Sequence, residues 1–228
     1  MSVLADIRQK VISIVRDDAT KLDNPHDYDR IISAAVNRYS KHRPGTAVAD
    51  ITGDGGNDYA LPSAWVDEFS AIKSIEFPIG DVPATLLDDD AYTIYQDTSA
   101  RKIRLIHDSP SASESFRVTF SIPRTETTVP ANEVDAVCSL AASFCLEELA
   151  NVYAQTSDAT IGADSVNYRT KSQEFASRAK SLRNLYKSHL GIKADDTVMP
   201  ASAATDLDVG YPGGSDRLTH PRKLREKR

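Results

Sequence analysis

Cysteine, tryptophan and long apolar runs are what this chain has least of: two cysteines and one tryptophan in 228 residues. Cys138 and Cys145 lie seven apart inside an apolar stretch, a spacing that stacks them on one helical face. That context excludes a disulfide framework and argues against a metal knuckle or redox pair, so both read as reduced core residues. No apolar run approaches the length that crosses a bilayer, and no basic, apolar, small-residue leader opens the sequence. The expectation is therefore no membrane, no secretion, and assembly in a cytoplasm. With 40% hydrophobic residues the chain can bury one substantial core and a smaller satellite without staples. There is no internal repeat.

Catalytic and metal-binding signatures are equally scarce. "DITGDGGNDY" gathers Asp50, Asp54, Asn57 and Asp58 around three glycines but lacks the distal Glu of a calcium loop and the Lys and Ser or Thr of a phosphate loop, so it reads as a hairpin turn. Asp88, Asp89 and Asp90 are adjacent, cannot all face one site on regular backbone, and read as a solvated turn. His26, His42, His107, His189 and His220 fall on five separate segments, with no metal-ligand spacing and no Gly-x-Ser-x-Gly or Cys/His motif beside them. Trp65 in "LPSAWVDEF" reads as the cover of a core edge. The expectation is no catalytic residue, no metal, no cofactor and no enzyme.

Periodicity is plentiful. Leu4, Ile7, Val11 and Ile14 recur at helical spacing behind Ser2, the expected cap. Tyr28, Ile31, Ile32, Ala35 and Tyr39 share a second helical face, with Asp27 as its cap and Pro44 and Gly45 as its end. From about Val48 to Ile122 the period changes to two: "KIRLI" and "FRVTFSI" alternate cleanly, "AIKSIEFPI" irregularly, and the connectors are rich in Gly, Pro, Asp and Ser, as in a small antiparallel sheet. After Pro130 the helical period returns, with Val134, Cys138, Ala141, Cys145, Leu149 and Val152 on a helix buried on several sides. Phe175, Ala179, Leu182 and Tyr186 mark a narrower face on a charged helix ending at Gly191. The fold class is mainly α with an inserted small antiparallel β-sheet (α+β): a helical bundle from residues 1–45 and 129–191, a β-rich insert at 46–128, and an extended arm at 192–228.

That arm carries the charge anomaly. The chain holds 27 Lys and Arg against 33 Asp and Glu, yet residues 217–228 carry a net +5, leaving −11 for everything before them. Arg217, Arg222, Lys223, Arg225, Lys227 and Arg228 supply the cations, with Tyr211, Leu218 and Leu224 interleaved as apolar anchors. Docking on an acidic partner, binding to nucleic acid, and a solubilising tail are all compatible with this composition.

The order of segments, together with "DYDRIISAAVNRYSKHRP", "YALPSAWVDEFSAIKSIEFP" and "ATIGADSVNYRTKSQEFASRAKSLRNLY", resembles the adaptor (head-to-tail connector) proteins of tailed bacteriophages. The resemblance implies a structural virion protein: a homo-oligomeric ring, commonly a dodecamer, in the neck between capsid and tail. Its implied partners are the portal protein, the next neck or tail protein, and viral DNA that passes through the channel without sequence-specific binding. It also implies that the C-terminal arm reaches the portal. The alternative is a DNA-binding or packaging-associated module that sets the basic tail on phosphates, and it predicts salt-dependent DNA affinity.

Overall fold

The structure, a computed structural model, describes residues 3–155 and 168–192. Among the described residues it is mixed α+β: four helices and two small antiparallel sheets, in the order helix pair, strands, helix pair. The first apolar stripe makes α1 (Val3–Val15), which buries Ile7, Val11 and Val15. The second makes α2 (His26–His42), which buries Tyr28, Ile31, Ile32, Ala35, Val36 and Tyr39. Ser2 lies outside the described residues. Asp27 differs from expectation: it sits inside the first turn and accepts from the amide of Asp23 at 2.9 Å, while Pro25 occupies the cap position without a side-chain bond. The helix starts two residues earlier than its pattern implies, with Pro25 and not Asp27 at the cap position, and that step moves Asp27 out of reach of the free amides it was expected to cap.

Pro44 cannot continue α2, and strand pairing begins at once, at Gly45 instead of Val48. Six strands follow: β1 (Gly45–Thr52), β2 (Asp58–Ala60), β3 (Ile72–Glu76), β4 (Tyr92–Gln96), β5 (Arg101–Leu105) and β6 (Ser115–Ile122). They form two three-stranded sheets, β1-β6-β3 and β2-β5-β4, and not one. The inner faces share a core of Ile75, Phe116, Val118 and Phe120 from the first sheet and Tyr59, Ile103 and Leu105 from the second. Tyr59 meets Phe116 edge-on at 4.8 Å, a favourable aromatic geometry. The uneven alternation around Ile72 and Ile75 has a cause in the register, which shifts between Ile72 and Ser74. Trp65 packs on Phe120 at 5.7 Å and covers the edge of this core.

The glycine loop after β1 is not a hairpin. β1 pairs with β6 and β2 with β5, so residues 53–57 carry the chain from one sheet to the other. Gly53 is needed for close approach, since a Cβ there would lie 2.2 Å from the Pro110 carbonyl oxygen. Gly55 adopts φ +79° and donates to that same carbonyl at 2.8 Å.

The chain then returns to the helices. α3 (Val134–Gln155) packs against the other three, and its buried residues lie all around its circumference. α4 (Tyr168–Leu190) lies along α3, burying Ala179, Tyr186 and Leu190 with Phe175 and Leu182 half-buried beside them. Gly191, at φ +71°, ends α4: its amide donates to Ser188 and that of Ile192 to Lys187, the paired bonds of a Schellman stop. Ion pairs lace the helix surfaces, Arg8 with Asp29, Lys10 with Asp135, Arg30 with Glu148 and Arg183 with Glu147. Such surface pairs contribute little, against roughly 1.5–3 kcal/mol for each fully buried aliphatic or Phe side chain, so the shared core decides the arrangement.

Candidate docking surfaces

The oxygen-rich loop at residues 54–58 does not converge on a cation. Asp54 accepts from the Gly56 amide at 2.8 Å, and the Asn57 side chain donates to the Leu105 carbonyl at 2.9 Å. Asp58 takes a bidentate pair from Arg104, at 2.6 and 2.7 Å, whose guanidinium also lies 3.6 Å over the Tyr95 ring. That hydrogen bond holds the Asp58 carboxyl below its usual range. The open groove lined by Gly56, Asp58 and Arg104 therefore offers an already neutralised pair.

Asp88, Asp89 and Asp90 are exposed on a turn, and Asp89 accepts from the Tyr92 hydroxyl at 3.1 Å. His26 is exposed at the start of α2, and His107 is exposed in the connector after β5. His42 Nδ1 shares a 2.6 Å hydrogen bond with the buried Tyr186 hydroxyl, and His189 Nε2 lies 3.4 Å from Glu133. His220 lies outside the described residues. Among the described residues no three His, Cys, Asp or Glu side chains are placed to hold a metal ion. Cys138 and Cys145 are buried free thiols, and burial pushes their pKa up to about 11 and about 12, so neither is a thiolate near neutrality.

Every arm residue singled out from the sequence, Tyr211, Arg217, Leu218, Arg222, Lys223, Leu224, Arg225, Lys227 and Arg228, lies outside the described residues. What the structure adds is the placement of charge in the rest of the chain. Residues 45–128, which form the β part, hold 14 of the 33 acids and only 6 of the 27 bases, a net −8. All remaining residues together carry +2. Within the β part, residues 74–100 contain six acids and no Lys or Arg.

This acidic stretch includes an ordered loop between β3 and β4. Phe77 donates to Thr85 at 3.0 Å and Leu87 to Ile75 at 2.8 Å, folding the chain back beside β3. The Thr85 hydroxyl donates to Asp81 at 3.0 Å, and the Gly80 amide to Glu76 at 3.1 Å. At its tip Val82 is 98% exposed, and Leu86 is 58% exposed. Sequence reasoning singled out only the three aspartates that follow and missed this surface. The available signal was the absence of any cation between Lys73 and Arg101, with "VPATLL" in the middle.

The β part is fastened to the helices by Arg124. Its guanidinium donates to the carbonyls of Arg43 at 2.8 Å and Thr128 at 2.7 Å, bridging the two chain crossings.

No protein-family model matches the sequence, and no curated protein matches it. Among solved structures the chain is similar to a chain in the virion of a native gene transfer agent (GTA) particle, with 14% identity and a TM-score of 0.28, covering 75% of this chain and 87% of that one. It is similar to a chain in the neck of an empty GTA particle computed with C6 symmetry, with 12% identity, a TM-score of 0.29, and 75% and 87% coverage. It is also similar to one in the neck of a native GTA particle computed with C12 symmetry, with 14% identity, a TM-score of 0.26, and 74% and 89% coverage.

Proposed function

We propose that the protein is a structural, non-catalytic component of a phage-type virion neck. In this reading copies of the chain form a ring, a dodecamer, that binds the portal and offers a platform to the next neck or tail protein while DNA passes through its channel. Residues 1–45 and 129–191 form the bundle, 46–128 the inserted subdomain, and 192–228 the portal-docking arm. The supporting observation is architectural. α1 and α2 close onto α3 and α4 in one core, while the strands between them make a second core of their own. That arrangement presents surfaces for partners, which supports a structural role.

The arm's cations, from Arg217 to Arg228, steer and orient docking on an acidic portal surface, with Tyr211, Leu218 and Leu224 as anchors. The acid excess of the chain keeps DNA from binding tightly, since like charge opposes the counterion release that drives phosphate binding. The test is binding of purified portal by the full chain and by a variant ending at Gly191. The full chain should decorate portal rings in averaged electron micrographs and the shortened variant should not, although it keeps its helical circular dichroism. Equal binding by the two removes the arm's role. Salt-sensitive DNA binding without portal binding favours the nucleic-acid module instead.

A further inference from the structure

The loop at residues 77–87 is short, ordered and apolar at its tip. Its two limbs are joined by the Phe77–Thr85 bond and its returning limb is pinned to β3 by the Leu87–Ile75 bond, so Val82 is presented at little ordering cost at the moment of contact. An almost fully exposed valine beside an exposed leucine, on a hydrogen-bonded loop, is an unburied anchor. Its surroundings set the chemistry of the partner. Asp81, Asp88, Asp89 and Asp90 are all exposed, and no cation lies within the stretch 74–100. Contact between two such loops would oppose acids with acids, and an anionic lipid surface or nucleic acid is repelled for the same reason.

The same molecule carries a complementary surface. Between residues 171 and 190, α4 has five Lys and Arg and one acid, Glu174. Leu185 is 59% exposed there, about 100° round the helix from the buried Tyr186. Arg178, two turns before Leu185 on that side, is exposed and donates to the Ile14 carbonyl at 3.1 Å.

We infer that the 77–87 loop of one copy docks its Val82 tip on the α4 face around Leu185 and Arg178 of a second copy. The two surfaces differ, so the contact is heterologous, and repeating it builds a closed ring or an open chain. A loop of 11 residues buries far less than the roughly 1,600 Å² of a stable pairwise complex, so one contact is weak and ring closure supplies the strength. The inference rests on the ring reading above for closure, and it deepens that reading by naming the surfaces.

Sedimentation equilibrium of the full chain at millimolar concentration and low salt tests it. Wild type should self-associate, and more weakly as salt rises. Val82→Asp and Leu185→Asp should each weaken association at least tenfold with unchanged thermal melting. Arg178→Glu should weaken it as well, and Asp88→Lys with Asp89→Lys in the same chain should restore it. A wild type that stays monomeric throughout overturns the inference, as does a charge swap that fails to restore association. Portal separates the two readings: Val82→Asp rings assembling on portal as readily as wild type overturn this interface alone. Wild-type self-association through these surfaces with no portal binding overturns the neck reading alone.

Discussion

The hydroxyl of Ser40, in the last turn of α2, accepts the Arg124 amide at 2.9 Å and donates to the Val36 carbonyl at 2.9 Å. It is 1% exposed, so one buried oxygen joins the end of the first helix pair to the chain returning from the strands. Ser40→Ala removes the acceptor and leaves the Arg124 amide without that partner. The expected loss is about 1–3 kcal/mol in urea unfolding. An unchanged midpoint would show that the junction is held by the Arg124 guanidinium alone.

The thiols give a labelling prediction. With their pKa values near 11 and 12, Cys138 and Cys145 should resist iodoacetamide at pH 8 in the native protein and react once denaturant exposes them. Because the folded values lie above those of free thiols, the stability they contribute is complete below about pH 8.5 and is lost as pH rises through 11 to 12. Replacing both with serine should lower stability modestly, since an apolar helix face offers new hydroxyls few partners beyond the backbone. Rapid native labelling would show that one of the thiols is not buried.

Gly53 and Gly55 should separate two reasons for glycine in one loop. Gly53→Ala places a Cβ 2.2 Å from a backbone oxygen that cannot swing aside, and should cost about 1–3 kcal/mol or shift the loop. Gly55 has open space around it and a left-handed φ, so Gly55→Asn should be nearly neutral in thermal melting. A reversed order of the two effects would contradict this account of the loop.

Acid should weaken the β part. Hydrogen bonds from Arg117 and Arg104 hold Asp50 and Asp58 below the usual carboxylate range, and Lys102 does the same for Asp97. Depressed folded values mean stability present above the unfolded pKa near 3.9 and lost as pH falls below it. Asp50→Asn should flatten that acid loss, read as the slope of melting temperature between pH 4 and pH 2. An unaltered slope would show that the Arg117 pair is energetically silent.

The helices were legible because an apolar stripe at helical spacing reports a property of one segment. Every residue of the α2 stripe, from Tyr28 to Tyr39, is buried. Of the strands, β3, β5 and β6 were legible as strands and not as members of two sheets. A two-residue period shows that Phe116, Val118 and Phe120 face one way, but not that their neighbours are β1 and β3. Pairing partners depend on contacts distant in sequence, and the glycine loop, with every mark of a hairpin, joins two sheets instead. Asp27 failed for a smaller reason, since a two-residue change in the helix start decides which amides a carboxylate can reach. The Val82 loop was missed because exposure of an apolar residue is invisible until the backbone that lifts it is known. The arm residues rest on composition alone.

Gly45 and Ile122 are register partners at the end of the β1–β6 ladder, and that pairing bears on the order in which the chain folds. α2 and α3 must find each other across an excursion of about 90 residues, and closing so long a flexible loop costs roughly 4 kcal/mol in chain entropy. The strands between them form a continuous stretch with its own core. Once they have folded, the ends of that stretch lie side by side, and only short connections separate His42 from Val134. During synthesis the insert can be complete before α3 has left the ribosome. The helices that define the body of the protein are then its last part to assemble, on a clasp the strands have already closed.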